Sequence, residues 1–138
     1  MTAVSEAGTH LQVGPLALSW SGGKDSALAL RALWDEPERE PVALITTVTE
    51  DYGRVSMHAV RRELVQAQAV AAGVPLVEVG IPAASSNDVY EARMAHALDT
   101  PPLDVVTTIA FADLFLEDVR AYREQRLTAA GREALFPL

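Results

Sequence analysis

Four short apolar runs alternate with four amphipathic ones along this chain, and that alternation constrains the fold more than any single residue does. The runs at 16–20 (LALSW), 41–50 (PVALITTVTE), 75–81 (PLVEVGI) and 101–111 (PPLDVVTTIAF) are near-continuously apolar or β-branched, which predicts buried strands. Residues 25–34 repeat apolar positions at helical intervals, and a second helix runs from about Met57 to a stop at Gly73. A third helix covers 88–98, with Asn87 or Asp88 as its N-cap, and a fourth lies within 112–131, with Asp113 at its start and Gly131 beyond its end. Strands apolar on both faces and joined through helices predict a parallel sheet with right-handed crossovers, an α/β fold in three α/β/α layers. Residues 1–13 read as a flexible tail and 14–138 as one domain. Ligands of such sheets bind beyond the carboxyl ends of the strands, which directs attention to loops 21–26, 50–58, 82–87 and 110–115.

Charge and composition exclude several function classes. A net charge of −8 argues against a nucleic-acid partner, which wants clustered Lys and Arg. The absence of cysteine removes thiol catalysis, disulfides and Cys-based metal sites. No window reaches membrane-spanning length and no signal peptide is visible, so a cytoplasmic location without membrane attachment is expected. Of the eleven basic residues Lys24 is the one lysine, placed where a compact ammonium has a use.

That place is the stretch LSWSGGKDSALAL at residues 18–30, a strand running through two glycines into a helix start. Glycines let backbone N–H groups face a ligand, and a helix N-terminus adds unpaired donors with partial positive charge. Ser21 and Ser26 carry hydroxyls, and Lys24 can neutralise phosphate oxygens. A carboxylate at Asp25 repels a phosphate unless a divalent cation lies between them, so Asp25 predicts Mg2+. The common phosphate loop is excluded twice: Leu18 stands where its first glycine belongs, and Asp25 follows the lysine in place of Ser or Thr.

Ser21-Gly-Gly-Lys-Asp-Ser26 instead resembles the Ser-Gly-Gly-x-Asp-Ser loop of the ATP pyrophosphatase (PP-loop) superfamily. Residues 56–82 and 111–138 are similar to the branch that contains diphthine–ammonia ligase, a likeness that covers 16–138. In that branch a histidine precedes the second helix, here His58, and the fourth strand ends in a Phe-Gly-Asp-like element, here Phe111-Ala112-Asp113. Ala112 stands where the branch usually has glycine.

The resemblance implies a Rossmann-like adenine nucleotide α-hydrolase fold of the HUP type and AMP-forming ligase chemistry on ATP with Mg2+. It implies nucleotide binding by Ser21, Gly22, Gly23, Lys24, Asp25, Ser26 and Thr47, a metal ligand in Asp25, and catalytic roles for Lys24, His58 and Asp113. The reaction implied is adenylation of a carboxylate, on a small molecule or a protein side chain, followed by displacement of AMP by ammonia. Relatives continue past the LFPL segment into an acceptor-binding region, so the chain is expected to be the nucleotide-binding part, with homo-oligomerisation left open. A non-catalytic ATP or AMP module and a tRNA-modifying adenylating enzyme stand as the alternatives.

Other residues carry weaker expectations. Asp113 taken alone is an ordinary N-cap, and His58 an ordinary helix-start residue. Glu50 and Asp51 are candidates for a second carboxylate near the metal, and Arg61 or Arg62 for a contact to ATP or a salt bridge to Glu50, Asp51 or Glu63. Arg120, Arg123 and Arg126 read as a solvated helix face, Trp20 as packing under the loop, and His10 and His96 as ordinary.

Overall fold

The computed structural model describes residues 14–36, 38–50, 54–55, 61–84, 86–112 and 117–138, and gives the backbone alone at 54–55 and 117–119. Strands are β1 (Leu16–Ser19), β2 (Ala43–Thr49), β3 (Arg54–Val55), β4 (Leu76–Ile81), β5 (Thr108–Ala110) and β6 (Glu133–Leu135). Helices are α1 (Lys24–Trp34), α2 (Arg62–Ala72), α3 (Asn87–Leu98) and α4 (Glu117–Ala129).

Parity along each strand assigns its side chains to two cores. Leu16 and Leu18 of β1 and Leu44 of β2 pack with Ala29, Leu30 and Leu33 of α1 and with Val65 and Ala69 of α2. Ala17, Ala43 and Ile45 point to the other face, with Leu98 of α3, Leu103 and Leu127 of α4. Strands buried on both sides need this continuous apolar character, so the expected three-layer α/β/α sandwich is the observed one. On α1 the buried positions are Ser26, Ala29, Leu30 and Leu33, one helical stripe facing the sheet. Gly73 stops α2 in the left-handed region at φ 73°, where a Cβ is disfavoured.

The parallel strands run in the order β4–β2–β1–β5–β6. The chain builds outward from β1 to β4 on one side, then returns to add β5 and β6 on the other. The gap between β1 and β5 is therefore a topological switch point, where loops leave in opposite directions and a crevice opens. The loop after β1 and the residues after β5 border it, since Leu18 pairs with Ala110. Short β3 pairs antiparallel with Val48 and Thr49 of β2. Because β4 holds the other edge of β2 at those two residues, β3 occupies the edge that β1 vacates after Ser19. It thus lies past the carboxyl end of β1, beside the loop.

Four boundaries differ from the sequence reading. The fourth strand shrinks from 101–111 to Thr108–Ala110, preceded by a 3₁₀ turn at Leu103–Val105. Pro101 and Pro102 lack the N–H that a central ladder requires. Ser86, not Asn87 or Asp88, is the α3 N-cap, its Oγ accepting from Val89 N–H at 3.4 Å. Arg61 is extended and α2 begins at Arg62; residues 56–60, which include the expected start near Met57, lie outside the described residues. Glu133–Leu135, to which the sequence pattern assigns no element, completes the sheet beside β5.

Candidate active site at the end of the central strand

Trp20 directly follows β1 with its N–H still bonded to the Ile45 carbonyl at 2.7 Å, and the chain then turns through residues 21–23 into α1. Ser26, 2% exposed, ties this turn together. Its Oγ accepts from Ser21 N–H at 3.0 Å and lies 2.9 Å from Ser21 Oγ, which in turn accepts from Gly23 N–H at 3.3 Å. The two hydroxyls close the loop on itself as well as lining it.

Gly22 sits at φ 88°, a left-handed conformation that a side chain disfavours. Gly23 caps α1 in an extended conformation and supplies no side-chain cap. The first-turn N–H groups of Lys24, Asp25 and Ser26 are thus the orphan donors of an uncapped helix start, with the positive end of the dipole behind them. Lys24 stands at the rim with its side chain 83% exposed, its Nζ 2.8 Å from Asp25 Oδ1. An exposed neighbouring pair of this kind contributes little to stability, so the ammonium is free to move to an arriving anion.

Below the loop, Trp20 is buried as expected, but its indole does more than pack. Its Nε1–H donates to Gln68 Oε1 at 2.9 Å, and Gln68 Nε2 donates to the Gly22 carbonyl at 3.3 Å. Nothing local marks Gln68, because a glutamine on a helix forty-six positions from Gly22 reads as surface. On β2, Thr46 shares the parity of Leu44 and points to the α1–α2 face; it is 3% exposed and its Oγ1 has no hydrogen-bond partner. Thr47, the residue expected to bind nucleotide, has the opposite parity and is half-buried.

Several expected partners lie elsewhere. Glu50 is held by Arg93 of α3, whose Nη1 reaches Glu50 Oε2 at 3.0 Å and the Gly80 carbonyl at 2.6 Å, so this carboxylate is engaged away from the loop. Arg62 pairs with Glu78 on the edge strand β4, where Gln66 also donates at 2.6 Å, and not with Glu50 or Glu63. Asp51, His58, Asp113 and His10 lie outside the described residues. Among the described residues no group of three or more His, Cys, Asp or Glu side chains is arranged to hold a metal.

The arginines of α4 are exposed at 120 and 126 and half-buried at 123, and two of them also cover aromatic rings. Arg120 and Arg123 lie 4.3 Å and 4.4 Å above the rings of Phe136 and Phe111, which stack at 5.8 Å. Guanidinium planes cover aromatic faces in this way while their charge stays near water. Phe111 thereby seals the end of β5. Ala112 packs on the α1–α2 core and is not among the non-glycine residues at positive φ, which are Glu38 and Ala84 among those described. Alanine in place of glycine is unstrained here.

Arg126 meets Glu91 of α3 at 2.7 Å, and Tyr122 Oη–H donates to the same carboxylate at 2.9 Å. The bond to Glu91, followed by burial and that carboxylate's charge, raises the Tyr122 pKa above its ordinary 10.0. A folded pKa above the unfolded one gives a contribution complete below about pH 10 and lost as pH rises through the folded value. Because Tyr122 is half-exposed, the effect is below about 1 kcal/mol. Tyr122→Phe is expected to melt slightly below the parent at neutral pH, with the difference closing in scans above about pH 10.

A five-stranded parallel sheet, four helices and Ser-Gly-Gly-Lys-Asp-Ser at the switch point together define an α/β domain of the PP-loop ATP pyrophosphatase superfamily. The family model for the diphthamide synthase N-terminal domain matches residues 15–131, and the chain belongs to that family. No curated protein matches the chain. No helix among the described residues is long and apolar enough to cross a membrane.

Proposed function

We propose that this domain binds Mg-ATP with the triphosphate against the start of α1, and that it supports AMP-forming ligase chemistry. The observation that carries the reading is the uncapped α1 N-terminus behind Gly22 at φ 88°, with Lys24 exposed at its rim. Those donors suit an anion with several oxygens, and the superfamily typically binds ATP.

The residues present also fit Mg2+. One carboxylate at Asp25, with the phosphates supplying further oxygens, matches a cation that takes one or two carboxylates and keeps its waters. Bound there, Mg2+ would neutralise charge on the phosphate oxygens. Lys24 swings from Asp25 to the phosphates and stabilises charge on the departing pyrophosphate. The first-turn N–H groups orient the phosphate tail, and the crevice between β1 and β5 admits the acceptor.

In the complete reaction an acceptor carboxylate oxygen attacks the α-phosphorus and pyrophosphate leaves. Ammonia then attacks the acyl carbon, AMP leaves with the bonding pair, and the nitrogen loses a proton. The net charge of −8 and the absence of cysteine both weigh against a tRNA-modifying role. His58 and Asp113 are proposed as catalytic residues on the resemblance alone, His58 preceding α2 in sequence and Asp113 following β5.

Resolving the products of incubation with Mg-ATP tests the reading. AMP with pyrophosphate supports it, and ADP with phosphate contradicts it. Tight ATP binding without turnover favours a nucleotide-binding module that needs a further acceptor-binding region. Asp25→Asn is expected to raise the Mg2+ concentration at half-maximal ATP binding about tenfold, with the fold unchanged, measured by titrating Mg2+ at fixed ATP.

A further inference from the structure

Gln68 lies on α2, outside the loop, yet both ends of its side-chain amide are committed to it. The Trp20 indole nitrogen is a donor only, so the end it meets at 2.9 Å is the oxygen. The other end must then be the NH2 group, directed at the Gly22 carbonyl 3.3 Å away. Trp20 is buried and fixed by its own backbone bond to Ile45, so the amide hangs from a rigid point.

The peptide held in this way joins two glycines. With no Cβ on either side, a Gly-Gly peptide rotates between opposite orientations more readily than any other. In a trans peptide the carbonyl and the following N–H point in opposite directions. While Gln68 holds the Gly22 carbonyl toward α2, Gly23 N–H faces into the loop, where it meets Ser21 Oγ at 3.3 Å beside the α1 donors. Rotated, the same peptide would aim a carbonyl oxygen at a bound phosphate and withdraw one donor.

We infer that Gln68 is a positioning residue for the phosphate loop, suspended from Trp20, which holds the Gly22–Gly23 peptide in its anion-binding orientation. This rests on the Mg-ATP reading. Its signature is selectivity: the tie acts on phosphate affinity and leaves contacts to the nucleoside alone.

The test measures affinity for Mg-ATP and for adenosine, which has no phosphate, on the whole chain and three variants. Gln68→Met keeps length and volume without either hydrogen bond. Gln68→Glu keeps the acceptor for Trp20 but sets an oxygen against the Gly22 carbonyl. Trp20→Phe retains an aromatic ring while freeing the amide oxygen. Expected losses in ATP affinity are about fivefold for Gln68→Met, more for Gln68→Glu and less for Trp20→Phe, with adenosine affinity unchanged. In a Trp34→Phe background Trp20 is the one tryptophan, and its emission should shift with Mg-ATP in the parent but not with Gln68→Met.

Unchanged ATP affinity in the glutamine variants overturns the inference while leaving the nucleotide reading in place. Equal losses for ATP and adenosine overturn it as well, since a general structural role would give that result. Failure of the parent chain to bind ATP overturns the nucleotide reading and the inference together.

Discussion

Lys24→Ala is expected to lower the rate of AMP and pyrophosphate formation about 10²–10³-fold and to leave thermal melting nearly unchanged. The size follows from losing one preorganised charge contact to the departing pyrophosphate. The lack of a stability effect follows from position: the side chain is 83% exposed, and its ion-pair partner, Asp25, is its neighbour in sequence. The rest of the molecule makes the dependence sharper. A protein of net charge −8 repels a triphosphate at long range, so binding must come from local donors, and Lys24 is the cation within the loop. Lys24→Arg should restore a minor part of the rate, because a planar guanidinium does not reproduce a compact ammonium beside a turn of two glycines. Quantifying AMP and pyrophosphate with saturating ATP for the three proteins checks the order parent, arginine, alanine. Full activity in Lys24→Ala would remove this residue from the phosphate site.

What the sequence disclosed about the fold was what local pattern determines. The apolar run LAL requires burial on two faces, and the helical spacing within 25–34 requires a helix laid on a sheet, although which residues form its buried stripe (Ser26, Ala29, Leu30 and Leu33, with Leu28 exposed) was settled only by the packing. Strand-to-helix passage through Ser21-Gly-Gly-Lys-Asp-Ser26 was equally visible, because each residue type has a local reason to be there. Hidden were the features set by which elements become neighbours. Glu50 meets Arg93 because α3 packs against β4, the strand beside which β2 ends, and no spacing in the sequence announces that approach. That Arg120 and Arg123 also cover aromatic rings became visible only when the segment through β6 brought Phe136 beside Phe111.

The same distinction explains the loop. Its glycines and lysine were legible, but the agent holding its peptide orientation was not. Gln68 reaches Gly22 across the contact between α2 and the end of β1, a relation made by tertiary packing. Thr46 and Thr47 show the limit more finely. Both are strand-end threonines in sequence; only the register with β1 and β4 decides that Thr46 faces the α1–α2 layer with an unpartnered hydroxyl. Recognition chemistry written in consecutive residues is readable early, whereas support supplied from another element is readable only once strand order is fixed.

The second large effect concerns the platform under the loop. Leu18→Ala is expected to destabilise the domain by about 3 kcal/mol, within the range of about 2–5 for deleting a buried leucine. Leu18 is 0% exposed, pairs with Leu44 on one side and Ala110 on the other, and belongs to the core that seats α1 and α2. Its neighbours sit on backbone fixed by two parallel ladders, so they cannot collapse into the space, and the cavity term adds to the lost transfer energy. Against a typical total of about 5–15 kcal/mol this is a large fraction, and the midpoint of urea unfolding should fall with little change in slope. Leu28→Ala supplies the contrast, because the same deletion on α1 at a side chain 54% exposed should lower stability by no more than about 0.5 kcal/mol, with a correspondingly small shift of the midpoint. Leu18 also lies two residues before Trp20, the anchor of Gln68. Leu18→Ala should therefore weaken ATP binding even where the domain stays folded, while Leu28→Ala leaves it unchanged. Equal midpoints for the two variants would mean that β1 is not the packed centre of the sheet, and that the loop stands on something other than this core.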